Sequence, residues 1–256
     1  MKSQPISQGC VEAFEDRSHV CFGISPFNSY FSEARIQELA EWGLREFDSI
    51  HFFVPDGPAA YTLEALGYSL DKAAWKARRQ GQYTINKIHR ALKNLAMSDV
   101  DAWKSVLDWK VLTENVRYLE FYWKVQNLYN KDSQFRRDCL EASHWVLEKR
   151  VDSQIEITEN VLESAVRYFL AEIPLFADTA GIVGAQSSSF CYHQSIPFIE
   201  KLYRGELAIE ASPAQAYVIV QPDSTCRAEG AQRAIPGPDK TESAAITTLT
   251  LDMSSS

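Results

Sequence analysis

Apolar residues along this chain fall into short runs rich in β-forming residues and longer segments with helical spacing. Residues 19–24 form a short apolar run that ends at Ser25-Pro26 and predicts a buried strand entering a loop. Between residues 30 and 47 the apolar positions recur with the spacing of a helix, and Asn28 or Ser29 is the expected cap. Residues 49–54 predict a second strand. Strand, helix and strand at this spacing predict a βαβ unit with two parallel strands.

The rest of the chain continues this alternation without an internal repeat. Helices are predicted over residues 70–97, 112–150, 155–172 and 197–204, and strands over 105–109, 188–192 and 217–220. The pattern therefore predicts an α/β, Rossmann-like fold, a single domain around a central parallel sheet that spans residues 19–221. Residues 1–18 are polar without a period and are expected to be flexible. Residues 222–256 contain no aromatic residue and are expected to form a disordered tail.

Composition excludes several classes of protein. No apolar run approaches the roughly 20 residues of a membrane span, and the N-terminus lacks a signal-peptide stretch. The five cysteines are scattered, without a CxxC or Cys/His pattern, so neither a disulfide framework nor a metal site is expected. Glycine-rich nucleotide motifs, GxSxG and HExxH are absent as well. We expect a cytoplasmic protein that needs no membrane, no metal and no cofactor. The sequence leaves the oligomeric state open, with a monomer favoured.

A serine follows the first predicted strand directly, in Gly23-Ile-Ser25-Pro-Phe-Asn28. Ligands bind at the carboxyl ends of the strands in open α/β sheets, so Ser25 is a candidate nucleophile. Gly23 has no side chain and would let a substrate approach the backbone. A Ser-Pro turn with Asn28 as a helix cap explains the same residues without catalysis, and this stretch taken alone favours that interpretation.

Two polar residues share one face of a predicted apolar helix. Tyr168 and Glu172 lie four positions apart, which places them on the same side. Partial desolvation of Glu172 would make a cationic partner favourable, and the ammonium group of a substrate is one candidate. A helix that ends at Pro174 with Glu172 exposed to solvent is the structural alternative.

A tyrosine and a histidine lie at the end of the short β-like run at 188–192. Tyr192 and His193 could orient a carbonyl group or relay a proton. Taken alone this pair is more typical of a tyrosine in the core.

The helix predicted between residues 72 and 93 carries basic residues and no acidic one. The basic residues are Lys72, Lys76, Arg78, Arg79, Lys87, Arg90 and Lys93. At about 100° per residue, most of them share one face with Tyr83, and an apolar stripe from Ala74 to Leu95 lies opposite. Any solvated face can be charged, but a one-signed face on a chain of net charge −8 favours a polyanion. The phosphate backbone of an RNA is the natural candidate.

Taken together, these separated motifs resemble the cyclodipeptide synthase family, in the expected order over about residues 19–221. Ser25 matches the position of the family's nucleophile. Tyr168 and Glu172 match its Tyr-x-x-x-Glu helix pair. Tyr192 matches its catalytic tyrosine, and together with Asn28 and His193 it matches the subfamily marked by Asn, Tyr and His. Residues 60–68 and the basic helix also look like the family.

The resemblance implies a fold similar to the catalytic domain of class Ic aminoacyl-tRNA synthetases, here without their HIGH and KMSKS signatures. It implies a ping-pong reaction of two aminoacyl-tRNAs, in which Ser25 forms first an aminoacyl-enzyme and then a dipeptidyl-enzyme. Cyclisation of the dipeptide releases a 2,5-diketopiperazine, and neither ATP nor metal is used. Glu172 and Tyr168 would hold the first ammonium group. Tyr192 would assist proton movement, while Asn28 and His193 shape the pocket.

Two other functions remain open from the residues alone. The chain could be a synthetase-like tRNA-binding module without catalysis, which would use the basic helix and form no acyl-enzyme. It could also be a serine acyl hydrolase, which requires a histidine and an aspartate that converge on Ser25 and has no use for the basic face.

Overall fold

The computed structural model describes residues 1–148 and 157–223. The strands are β1 (Lys2–Pro5), β2 (His19–Gly23), β3 (Ser49–Phe53), β4 (Val106–Leu107), β5 (Ser188–Tyr192) and β6 (Gln215–Gln221). The helices are α1 (Gln8–Glu15), α2 (Glu33–Glu46), α3 (Ala59–Ala65), α4 (Leu70–Asn94), α5 (Asp99–Lys104), α6 (Trp109–Thr113), α7 (Val116–Lys131), α8 (Ser133–Glu148), α9 (Glu159–Val183) and α10 (Pro197–Tyr203). The tail expected at 222–256 lies, beyond residue 223, outside the described residues.

The strands form one sheet in the order β1-β6-β5-β2-β3-β4. β1 runs antiparallel to β6, and the other neighbouring pairs are parallel. Because β2 lies between β5 and β3, the carboxyl ends of three central strands meet at one edge. This arrangement confirms the predicted α/β fold with a central, mostly parallel sheet. Among the described residues, no helix has both the length and the apolar character needed to cross a membrane.

Helices cover both faces of the sheet, so the central strands are buried on both sides. Val20 and Phe22 of β2 belong to one core cluster, together with Ile36 of α2 and Ile88 of α4. Cys21 of β2 belongs to the opposite cluster, which includes residues of α7 and α9. All five residues of β2 are buried, which explains why the sequence shows a continuous apolar run there instead of an alternating one.

The prediction that residues 1–18 are flexible is wrong for residues 2–15. β1 adds a strand to the edge of the sheet beside β6, and α1 follows it. The hydroxyl of Ser7 caps α1 by accepting a hydrogen bond from the Cys10 amide at 3.3 Å. Cys10, Ala13 and Phe14 are buried, at positions i, i+3 and i+4. This segment is short and mostly polar, so its helical period is too brief to stand out.

The long helical segments differ from the prediction in where they break. The stretch predicted at 112–150 is divided into α6, α7 and α8, because polar caps restart the helix at Asn115 and Asp132. Asn115 accepts from the Tyr118 amide at 2.9 Å. The short helices α3 and α5 were not predicted. The predicted positions 149–150 and 155–156 lie outside the described residues.

α9 continues past Pro174, so the helix end expected there as an alternative does not exist. A proline inside a helix disturbs the carbonyl groups of the preceding turn. In the turn before Pro174, the Tyr118 hydroxyl donates to the Ala171 carbonyl oxygen at 2.9 Å. The helix kinks instead at Asp178, which has φ −157° and ψ 47° and accepts from the Gly181 amide. Glu172 therefore lies inside a helix and is half-buried.

Candidate active site

The predicted nucleophile and the predicted tyrosine meet at the carboxyl edge of the sheet. Ser25 lies two residues beyond β2, and Tyr192 is the last residue of the neighbouring parallel strand β5. The Ser25 Oγ and the Tyr192 hydroxyl oxygen are 3.1 Å apart and form a hydrogen bond. The topology brings these two side chains together across 167 residues of sequence.

Gly23 makes room for this contact. A Cβ atom at position 23 would lie 2.8 Å from the Cζ atom of Phe190 and 3.3 Å from the Cδ2 atom of Tyr192. Such distances are shorter than ordinary carbon contacts, so any side chain here would displace the two rings. Gly23 lines the cavity as the sequence suggested, and its lack of a side chain serves the tyrosine as well.

Asn28 and His193 form a second polar contact beside the first. Asn28 Oδ1 accepts from the Tyr30 amide at 3.0 Å, which orients the side-chain amide. Asn28 Nδ2 then donates to His193 Nε2 at 3.2 Å. An amide nitrogen can only donate, so Nε2 is the unprotonated nitrogen of a neutral imidazole. Asn28 does not cap α2, because that cap is the Ser32 hydroxyl, which accepts from the Arg35 amide.

An aromatic stack holds His193 in place. Its ring lies parallel to that of Tyr30, with centroids 4.3 Å apart, and contacts the ring of Tyr192 at 4.4 Å. On its other side, Tyr30 faces the guanidinium of the buried Arg35. Sequence reasoning missed Tyr30, although it lies two residues after Asn28. Stacking against a residue 163 positions away has no local signature.

One cavity contains the predicted catalytic residues. Ser25, Tyr168, Glu172 and Tyr192 all line it. Much of its lining is apolar and includes Leu147, Phe169, Phe176, Phe190 and Ile199. Among the described residues that line the cavity, Glu172 is the one charged side chain. A ligand with an ammonium group and an apolar side chain would match both parts of this wall.

Tyrosines around Glu172 are held in their neutral form. Burial raises the pKa of Tyr118 and of Tyr217, and the negative charge of the Glu172 carboxylate raises each pKa further. The Tyr118 hydroxyl donates to Ala171 and the Tyr217 hydroxyl donates to the Gln194 carbonyl at 2.8 Å. Both tyrosines therefore stay neutral beside Glu172.

No catalytic triad forms at Ser25 within residues 1–148 and 157–223. The side chain that hydrogen-bonds Ser25 there is Tyr192, and the Nε2 atom of the nearby His193 is already occupied by Asn28. The same part of the chain contains no cluster of His, Cys, Asp or Glu that could hold a metal ion. The arrangement expected of a serine acyl hydrolase is therefore not present in the described residues.

The basic face predicted on α4 lies beside this site. Gln80 Nε2 donates to the Pro26 carbonyl oxygen at 2.7 Å, which joins the middle of α4 to the residue after Ser25. Arg78 and Arg79 are exposed, and Lys72, Lys76 and Lys87 are half-buried. The predicted apolar stripe is wrong at its first position. Ala74 is exposed, and the neighbouring Ala73 is buried instead.

Arg90 and Lys93 have acidic partners, contrary to the expectation of a face without neutralising acids. Arg90 donates to the Glu33 carboxylate at 2.7 and 2.9 Å, and Lys93 pairs with Asp99 at 3.0 Å. These acids belong to α2 and α5, so the sequence of α4 alone could not reveal them. For Lys76 and Arg79, no ion pair occurs with any residue that the structure describes.

Comparison with known proteins identifies relatives of the same kind. A family model described as "Cyclodipeptide synthase" matches residues 1–222. The chain is 33% identical over 229 residues to the cyclo(L-tyrosyl-L-tyrosyl) synthase of Mycobacterium tuberculosis, covering 87% of this chain and 76% of that protein. It is 30% identical over 223 residues to the cyclo(L-leucyl-L-leucyl) synthase of Bacillus subtilis, covering 86% and 88%.

Solved structures of cyclodipeptide synthases are also similar to this chain. A cyclodipeptide synthase from Bacillus thermoamylovorans superposes with a TM-score of 0.79 at 31% identity, covering 87% of this chain and 96% of that one. A Mycobacterium tuberculosis structure, described as showing that cyclodipeptide synthetases are related to type I tRNA synthetases, superposes with a TM-score of 0.76 at 32% identity, covering 86% and 93%.

Proposed function

This chain belongs to the cyclodipeptide synthase family, and we propose that it joins two aminoacyl groups, each delivered on a tRNA, through a covalent intermediate on Ser25. Membership makes the chain an enzyme that forms peptide bonds between aminoacyl groups. The observation that carries the proposal is the hydrogen bond between Ser25 and Tyr192, at the mouth of a cavity whose one described charged group is Glu172.

In the first step, the Ser25 Oγ attacks the ester carbonyl carbon of one aminoacyl-tRNA. The bond from Oγ to that carbon forms, and the bond from the carbon to the ribose oxygen breaks. The serine proton ends on the departing ribose oxygen, and the Tyr192 hydroxyl, 3.1 Å from Oγ, is placed to pass it on. The acyl group arrives already activated as an ester, so the protein contributes mainly positioning.

Glu172 and Tyr168 would hold the α-ammonium group of the first aminoacyl unit. Both line the same cavity as Ser25, on the face of α9 that the spacing predicted. A carboxylate partly removed from water binds an ammonium group more strongly than a neutral acceptor does. The apolar wall beyond them would receive the amino-acid side chain.

In the second step, the amine of a second aminoacyl-tRNA attacks the ester on Ser25. A peptide bond forms, the bond to Oγ breaks, and the amine proton ends on Oγ. Ser25 then attacks the ester of the dipeptidyl-tRNA. The bond to the ribose oxygen breaks, that oxygen takes the serine proton, and the dipeptidyl group is now bound to Oγ. The free amine of the dipeptide attacks its own ester, which closes a 2,5-diketopiperazine ring and returns the proton to Ser25.

Asn28 and His193 would position the tyrosine instead of reacting. His193 is held between the rings of Tyr30 and Tyr192 and by the amide of Asn28, so the three marker residues of the Asn-Tyr-His subfamily form one connected unit. Fixing the ring of Tyr192 keeps its hydroxyl in reach of Ser25.

The basic face of α4 would bind the tRNA. Lys72, Lys76, Arg78, Arg79 and Lys87 would contact phosphates, whereas Arg90 and Lys93 contribute less because acids neutralise them. Phosphate contacts carry no sequence information, so one surface can serve two different tRNAs. Reversing two charges, in the variant Arg79→Glu with Lys87→Glu, should weaken activity with tRNA-borne substrate more than activity with a small activated amino-acid ester.

Mass spectrometry of the protein after incubation with charged tRNA tests the proposal directly. We expect Ser25 to gain the mass of an aminoacyl group and the solution to gain a cyclic dipeptide. A tRNA-binding module without catalysis would gain no mass, and a hydrolase would release free amino acid. Either result would contradict the proposal.

A further inference from the structure

Three exposed side chains on α4 form a ladder of two aromatic rings with a guanidinium between them. Trp75, Arg79 and Tyr83 lie at positions i, i+4 and i+8 of the helix. The Arg79 guanidinium carbon is 5.1 Å from the ring centre of Trp75 and 5.5 Å from that of Tyr83. Arg79 Nε also donates to the Tyr83 hydroxyl at 3.1 Å. We call these three residues the aromatic ladder.

The aromatic ladder is unusual for a face that only meets water or phosphate. Trp75 is 55% exposed and Tyr83 is 48% exposed, so two large rings remain in contact with solvent. Phosphate binding requires cations and gains nothing from the rings. Flat aromatic and guanidinium groups in a row are the surface on which unpaired nucleic-acid bases stack, because every base has a π face.

The aromatic ladder lies on the helix that contacts the residue after Ser25. Gln80, which bonds the carbonyl next to Ser25, is within one turn of both Arg79 and Tyr83 on the helix. At about 1.5 Å of rise per residue, the whole ladder lies within about 10 Å of Gln80 along the helix axis. Lys76 and Lys87 flank it on the same side, where they could neutralise the phosphates of a strand that lies along the ladder.

We propose that the aromatic ladder stacks on unpaired nucleotides at the 3′ end of an aminoacyl-tRNA, close to the ribose that carries the amino acid. Bases within a duplex are stacked on each other and leave no face free, whereas bases of a single-stranded end do. The ladder would guide the ester toward Ser25, and the cations around it would hold the backbone. This inference rests on the proposed use of tRNA-borne substrates.

The test compares two RNA probes. Deacylated total bacterial tRNA is used intact, or after removal of its four 3′-terminal nucleotides, and equilibrium binding to the full chain is measured at several salt concentrations. For the double variant Trp75→Leu with Tyr83→Leu, we expect binding of the intact RNA to weaken about fivefold or more, the lower end of what base stacking contributes. Binding of the shortened RNA should not change, and the salt dependence should stay that of the wild type.

Matched variants separate stacking from charge and from folding. Trp123→Leu removes a tryptophan that is 65% exposed on α7, and it should affect neither RNA. Trp75→Phe with Tyr83→Phe keeps two stacking rings and should bind close to the wild-type level. Lys76→Gln with Lys87→Gln should weaken both RNAs and lower the salt dependence, because fewer counterions are released.

Equal weakening of both RNAs by the double leucine variant would overturn the ladder, and so would no weakening of either. Formation of the acyl group on Ser25 is measured separately on the same proteins. A wild type that acylates Ser25 while its binding ignores the 3′ end would overturn the ladder and leave the proposed function intact. A wild type that binds no tRNA would overturn both.

Discussion

The neighbouring strands β2 and β5 have a pair of polar residues at each of their two ends, and the two pairs lie in different surroundings. At the carboxyl ends, which we call the open end, the side chains of Ser25 and Tyr192 meet at 3.1 Å beside a cavity. At their amino ends, the Nδ1 atom of His19, the first residue of β2, lies 2.8 Å from the hydroxyl of Ser188, the first residue of β5. Both pairs join β2 to its neighbour β5. The pairing of the strands therefore does not by itself decide which end forms a functional site.

We call the amino ends of these strands the closed end, because the polar side chains there hydrogen-bond to one another. His19 is 1% exposed, and its Nε2 atom lies 2.8 Å from Nδ1 of His51, the middle residue of β3. Burial lowers the pKa of His19 to about 3, with a smaller contribution from His51, so the ring is neutral. Both ring nitrogens of His19 are used within the protein. The comparison teaches that polar residues at a strand end support chemistry where the fold leaves an accessible cavity beside them, and stabilise the sheet where it does not.

Replacing Ser25 tests the open end most severely. In Ser25→Ala we expect cyclic dipeptide formation to fall at least about 10³-fold, because the acyl group then has no nucleophile to accept it. The free energy of unfolding should change by no more than about 1 kcal/mol, since one hydrogen bond is lost. Product analysis and denaturant unfolding measure the two effects. Half or more of the wild-type product would contradict the assignment.

The substitution at the closed end that corresponds to Ser25→Ala is His19→Ala. His19→Ala should lower the free energy of unfolding by about 2–4 kcal/mol, because it leaves a cavity and removes a partner from both Ser188 and His51. The turnover of the folded enzyme should stay within about twofold of the wild type, because the site lies at the other edge of the sheet. A stable variant with low activity would contradict the division between the two ends.

A smaller loss of activity is expected at the open end for Glu172→Gln. Glutamine keeps the size of the side chain but cannot pair with an ammonium group as an ion, so kcat/KM should fall roughly 10- to 100-fold. Stability should change by less than about 1 kcal/mol, because the side chain is only half-buried. Unchanged kinetics would show that Glu172 does not hold the amine.

The closed end also predicts how stability depends on pH. The pKa of His19 is about 3 in the folded state, below the ordinary value of 6.5. Between these two pH values, His19 of the unfolded chain binds a proton and His19 of the folded protein does not. The stability contributed by neutral His19 is complete above about pH 6.5 and is lost as the pH falls toward 3, by up to about 1.4 kcal/mol per pH unit. Denaturant unfolding of wild type and His19→Ala between about pH 5 and 7 should give a shallower slope for the variant. Parallel slopes would contradict this origin.

The smallest effect distinguishes two adjacent serines of β5. Ser188 bonds His19, whereas the buried Ser189 Oγ has no hydrogen-bond partner in the part of the chain that the structure describes. Ser188→Ala should therefore cost about 1–2 kcal/mol of stability. Ser189→Ala should be neutral within about 0.5 kcal/mol or slightly stabilising, because an unpaired buried hydroxyl contributes nothing. Equal losses would show that the hydrogen bond to His19 has no special weight.

Sequence patterns predicted the central strands well, because each is a short apolar run bounded by polar residues or proline. The spacing of Tyr168 and Glu172 likewise placed them on one face of α9. What could not be predicted depends on residues far apart in the chain. The stack of Tyr30 on His193 and the pairing of Arg90 with Glu33 join different elements and leave no local period.

The close approach of Phe190 and Tyr192 to Gly23 links the variability of positions 23 and 190. An alanine there would collide with Phe190 and crowd Tyr192, so it would be disfavoured in the present background. Shortening Phe190 would remove the closest of those collisions and at the same time enlarge the apolar wall of the cavity. Positions 23 and 190 should therefore be varied as a pair in any library that aims to change the accepted amino acid, and the order of the two changes matters. The reduction at 190 has to precede the addition at 23.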